Sequence, residues 1–222
     1  MMVQFSSNGD QFDGYLAVGP SGGPGVILLQ EWWGLVGHIK EVADRLAAVG
    51  FTVLAPDLYR GKSTEEPDEA GSLMMALNIA ETGKILDSAV SYLLSLESCT
   101  SKKIGVVGFC MGGQLAMFAA CENPEIGVCV NYYGVHPNVQ PQFANLNAPI
   151  FGFFAEHDDY ASAAAVENLT KQLEEAGKSF AFMTYPGTHH AFFNDARPEV
   201  YNAEAAGDSW KRMINAFDTH LK

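Results

Sequence analysis

The feature that most constrains this chain is the run Gly108-Phe109-Cys110-Met111-Gly112-Gly113, placed directly after the apolar stretch Ile104-Gly105-Val106-Val107. It reads as a strand, a sharp turn and the start of a helix. The turn carries a thiol where the common hydrolase pattern G-x-S-x-G carries a hydroxyl. Small residues two before and two after the turn let strand and helix pack closely, and Gly108 and Gly112 fill those places. The following helix would aim its dipole and its free N–H groups at the residue in the turn. Cys110 is therefore the candidate nucleophile, with a thioester as the expected intermediate. A buried structural cysteine is the competing reading. The glycines and the strand–helix junction set Cys110 apart from Cys121 and Cys129, which read as core, and from Cys99, which reads as a helix-end residue.

The 222 residues suffice for one well-buried domain, expected over 1–222. A net charge of −13 argues against a nucleic-acid or anionic-membrane partner. Met1 to Asp10 has neither the cationic start nor the apolar core of a secretory signal, and no apolar run approaches a membrane span. Without C-x-x-C pairs or a disulfide framework, a reducing cytoplasm is the expected compartment.

Strand and helix patterns alternate along the chain. Val3–Phe5 and 11–18 read as a hairpin. Val26–Gln30, 51–55, 103–108, Ile126–Tyr133, Pro149–Ala155 and Ser179–Tyr185 read as further strands. Helices are expected over 37–49, over 69–97 as two segments meeting near Gly83, and over 110–122, 161–176 and 199–221. The fold class is α/β, a mostly parallel twisted sheet with helices on both faces. Ligand sites in such sheets lie at the carboxyl ends of the strands. Glu31, Asp57, Cys110, Asp158 and His190 all follow predicted strands.

A thiol nucleophile needs a base, and the base an orienting acid. His190 follows the last strand, with His189 as the alternative. His157 reads as a turn residue, His136 as a pocket neighbour, and His38 and His220 as helix-surface residues. The acid is expected after the preceding strand, where Asp158 competes with Asp159. The order Cys110, Asp158, His190 is that of the α/β-hydrolases. The N–H groups of Met111 and Trp32 are the expected oxyanion donors. Trp33, Tyr59, Phe109, Tyr133 and Phe192 are candidate pocket walls. No histidine spacing suggests a metal, and no cofactor is expected.

Gln30-Glu31-Trp32-Trp33-Gly34, Pro56-Asp57-Leu58-Tyr59, the Cys110 elbow, Tyr132-Tyr133-Gly134 and His190-Ala191-Phe192 together resemble the dienelactone hydrolases, over nearly the whole chain and in the right order. That family is a cysteine branch of the α/β-hydrolases acting on carboxymethylenebutenolide lactones. The resemblance implies a triad of Cys110, Asp158 and His190. It also implies that Glu31 is a buried glutamate that helps to generate the thiolate. It further implies two arginines on the substrate carboxylate. Here Phe193-Asn194 occupies one of those places, and residues 61–101 contain no arginine. Arg60 and Arg197 are the nearby substitutes. The expected partner is a small lactone or ester, bound by a monomer or small homo-oligomer. The alternatives are a broad carboxylesterase, a non-catalytic binding protein on the same scaffold, and a redox-sensing thiol.

Overall fold

The structure is a computed structural model that describes residues 1–7, 9–134 and 136–222. Eight strands form one sheet: β1 (Met2–Ser7), β2 (Asp10–Val18), β3 (Gly25–Leu29), β4 (Thr52–Pro56), β5 (Ile104–Phe109), β6 (Ile126–Tyr132), β7 (Ile150–His157) and β8 (Phe180–His189). Their order across the sheet is β1-β2-β4-β3-β5-β6-β7-β8. The β1–β2 and β2–β4 pairs are antiparallel, and the remaining pairs are parallel. This is the α/β-hydrolase arrangement, with β3 and β5 at its centre.

The central strands are unbroken apolar runs because both of their faces are covered. Along β3, Val26 and Leu28 join one core and Ile27 and Leu29 the other. The first core is closed by α1 (Gly37–Ala48) and α6 (Ala203–Leu221). The second is closed by α3 (Ile79–Ser95) and α4 (Met111–Glu122), with Leu173 of α5 (Ala163–Glu175).

Three local expectations are corrected. The 69–97 stretch divides at 76–78, not near Gly83, into α2 (Pro67–Met75) and α3. The Asn78 side chain accepts the Glu81 N–H at 3.1 Å and caps α3, satisfying a donor that the helix leaves free. Gly83 lies inside α3, where a Cβ would stand 3.2 Å from the Phe118 ring. His38 is not a surface residue: it is buried between Phe109 and Phe193, with Nδ1 3.3 Å from Asp195. β8 also runs four residues further than expected and delivers His190 directly from its end.

Candidate active site

Cys110 sits between β5 and α4 at φ 53° and ψ −124°, a conformation that a side chain adopts only under constraint. The surroundings impose it. A Cβ at Gly108 would collide with the Gly112 backbone, and one at Gly112 would lie 2.5 Å from the Gln30 carbonyl oxygen. Beneath the turn, the buried Asn131 accepts the Gly134 N–H at 2.6 Å and leaves no room for a side chain at Gly113. Two further non-glycine residues with positive φ, Tyr133 and Ala191, lie at the ends of β6 and β8 beside the same centre.

His190 Nδ1 is 2.8 Å from Asp158 Oδ2. The Asp158 side chain is fully enclosed, and its other oxygen accepts the N–H groups of Tyr160 and Ala161, both at 2.8 Å. This carboxylate is fixed by three donors, whereas Asp159 is exposed. Burial disfavours a charged His190. The hydrogen bond donated to Asp158 and the nearby Cys110 sulfur outweigh it and raise the imidazole to about 10.

Glu31 is buried just past β3, and its Oε2 accepts the Asn194 Nδ2–H at 2.8 Å. Asn194 occupies one of the places where the resemblance leads one to look for an arginine. Its signal in the sequence was only that absence. Met111 opens α4, so its N–H has no helical acceptor. The Trp32 N–H also lacks one among the described residues.

A cavity of about 530 Å³ opens over Cys110 and His190. Trp32, Trp33, Tyr160, Met74 and Arg197 are among its walls. The two tryptophans meet edge to face at 5.0 Å, and Arg197 stands over Trp33 while bonded to Glu199 at 2.9 Å. Arg197 is the only arginine or lysine among the described residues lining this cavity.

Several expected walls lie elsewhere. Phe109 and Phe192 are fully enclosed in the first core, where β5 and the turn after β8 pack against Tyr132 and Tyr133. Tyr133 lies beneath the His190 ring, 4.9 Å away, and so supports the site from below. Tyr59 turns inward and its hydroxyl donates to Met111 Sδ at 3.3 Å. Arg60 points away: it pairs with Glu81 of α3, covers the Phe12 ring and is half exposed. Asp57, noted for its strand-end position, organises the turn after β4 by accepting the Tyr59 and Gly61 N–H groups at 3.0 and 2.7 Å. His157 and His189 reach the rim of the cavity over Cys110, and His136 lines a neighbouring one. Sequence reasoning missed Tyr160 and Met74, whose placement depends on the tertiary packing of their loops.

The described residues contain no helix long and apolar enough to cross a membrane. They also contain no group of three or more His, Cys, Asp or Glu residues placed to hold a metal ion.

The sequence profile of the "Dienelactone hydrolase family" matches residues 12–221. "Protein usf" of Aquifex pyrophilus is 37% identical, over 99% of this chain and 98% of its own. A "Putative carboxymethylenebutenolidase" of Aquifex aeolicus is 35% identical, over 100% of this chain and 99% of its own. Among solved structures, a "Putative Dienelactone Hydrolase" of Klebsiella pneumoniae superposes with a TM-score of 0.88 at 27% identity, covering 99% of each chain. With a matching profile over nearly its full length and relatives that span it end to end, this chain belongs to the dienelactone hydrolase family, hydrolases of lactone and ester substrates.

Proposed function

We propose that the protein hydrolyses a small lactone or activated carboxylic ester through Cys110, His190 and Asp158, with a thioester intermediate. The observation that carries this reading is the His190–Asp158 bond of 2.8 Å beside a cysteine held at positive φ. His190 accepts the Cys110 proton, which leaves the thiolate beside an imidazolium. The sulfur adds to the carbonyl carbon, and the carbonyl electron pair moves onto oxygen. The N–H groups of Trp32 and Met111 hold that oxyanion. Collapse expels the alkoxide, which takes the proton from His190 Nε2. The neutral imidazole then removes a proton from water, whose oxygen attacks the thioester and releases the Cys110 thiolate and the acid. Asp158 holds the imidazole in position and balances its charge throughout. Glu31 supports formation of the thiolate.

For the substrate, a neutral ester or lactone is favoured over an anionic dienelactone. Arg60 and Arg197, the two candidate carboxylate anchors, are each paired with a carboxylate of the protein, and Arg60 lies away from the cavity. The free thiols suit a reducing, cytoplasmic setting. A hydrolysis panel of neutral aryl esters, neutral lactones and anionic dienelactones tests both parts. The expected result is turnover of the neutral compounds that disappears, by at least about 10⁴-fold, in Cys110→Ala. Full activity in that variant overturns the mechanism, and a strong preference for the anionic lactones overturns the substrate assignment.

A further inference from the structure

Beside the catalytic cavity lies a second one of about 490 Å³. The two share Pro137, Asp159 and Tyr160 as walls. Tyr160 is built as a partition. Its backbone N–H is fixed to the Asp158 carboxylate, while its side chain stands 61% exposed. Its ring lies 5.1 Å from the His190 ring and 6.3 Å from that of Trp32. The second cavity therefore begins on the side of the site where His190 stands, the side from which a departing alkoxide must receive its proton.

The lining of this second cavity is mixed but carries no lysine or arginine among the described residues. Val139, Phe143, Val166 and Leu169 supply apolar surface, and Gln114 and Gln172 supply amides. His136 is 4% exposed, and its Nδ1 accepts the Asn138 N–H at 3.1 Å, so Nε2 carries the ring proton. That Nε2 is buried and meets no partner in hydrogen-bond geometry among the described residues. Burial lowers the proton affinity of the ring. A cavity of mixed lining, with amides, a histidine donor, one carboxylate at Asp159 and no cation, suits an uncharged, extended group.

We propose that the second cavity is the alcohol subsite, which takes an uncharged apolar leaving group of more than a few carbons, and that Tyr160 is the specificity-determining wall at its entrance. This inference rests on the hydrolase reading above.

The test compares two series of neutral esters, one varying the alcohol from methyl to hexyl at constant acetyl and one varying the acyl chain at constant methanol. The readout is kcat/KM, which reports the steps through acylation and so senses the alcohol. Native protein is expected to gain about tenfold or more along the alcohol series and much less along the acyl series. Val166→Trp, which fills the second cavity from α5, is expected to erase that gain. Tyr160→Ala, an exposed position with little bearing on the fold, is expected to extend it severalfold to branched and aryl alcohols. Stoichiometric labelling of Cys110 by a small electrophile checks that each variant has kept its site. A gain confined to the acyl series, or a Tyr160→Ala variant with an unchanged alcohol profile, overturns the proposal. Loss of all turnover that depends on Cys110 in the native protein would instead overturn the hydrolase reading beneath it.

Discussion

The floor and the roof of the catalytic cavity are built on opposite terms. The floor is the elbow, where backbone packs at close range: Gly108 against Gly112, Gly112 against Gln30, and Gly113 against Gly134 and the Asn131 side chain. Nothing there moves without moving β3, β5 and β6. The roof is α2 with the turn around Tyr160. Of the nine residues of α2 only Ala70 is buried, and Met75 and Tyr160 stand exposed. A nucleophile must be held to fractions of an ångström, whereas the groups that greet a substrate gain from being adjustable. On the proposed mechanism, the chemistry is set in the part of the molecule that tolerates least, and selection in the part that tolerates most.

This contrast can be attacked from either side. Apart from loss of the Cys110 sulfur itself, the largest effect is expected at Asp158. Asp158→Asn keeps the shape but loses the charge that holds the His190 proton, and kcat/KM should fall about 10³-fold, or about 4 kcal/mol. The same variant should lower the pH at which His190 titrates, read by the imidazole NMR signal. The sign for stability follows from the raised proton affinity. His190 titrates at about 10 in the fold and at about 6.5 when unfolded. Its stabilising contribution is whole below about 6.5 and is lost as pH rises through about 10. Urea denaturation of the native protein at pH 6 and pH 10 should show a smaller difference after Asp158→Asn.

Next comes Gly112→Ala, which drives a methyl group against the Gln30 and Leu29 carbonyl oxygens at 2.5 and 2.6 Å. A loss of about 3 kcal/mol in chemical denaturation is expected. Asn194→Ala removes the amide bonded to the buried Glu31 carboxylate and should cost about 2 kcal/mol. Met74→Ala, in the roof, should cost less than about 1 kcal/mol and alter KM more than kcat. A roof substitution as damaging as Gly112→Ala would erase the distinction between the two regions.

The elements were legible because their signals are local. Continuous apolar runs marked the central strands, and the glycine pattern marked the elbow. What escaped depended on partners distant in sequence, or on weighing two signals against each other. The α2–α3 break went to Asn78, whose capping bond outweighed the flexibility expected of Gly83. His38 did carry a signal: it stands four and eight residues before Val42 and Leu46, both on the buried face of α1. Its polar character masked that periodicity. Phe109 and Phe192 read equally as core or as pocket wall from the sequence, and strand alternation and the turn after β8 direct them into the core. Arg60 could not be placed without knowing that α3 brings Glu81 to it.

The Glu31–Asn194 bond joins positions 163 residues apart. No shorter piece of this chain contains both partners, and the first enters the fold from its opening βα unit and the second from its last turn before α6. Closing so long a loop is entropically expensive and topologically slow. The bond is in effect a clasp, fastened only once almost the whole chain is in place, and its amide protons report completion of the fold rather than the formation of any one element.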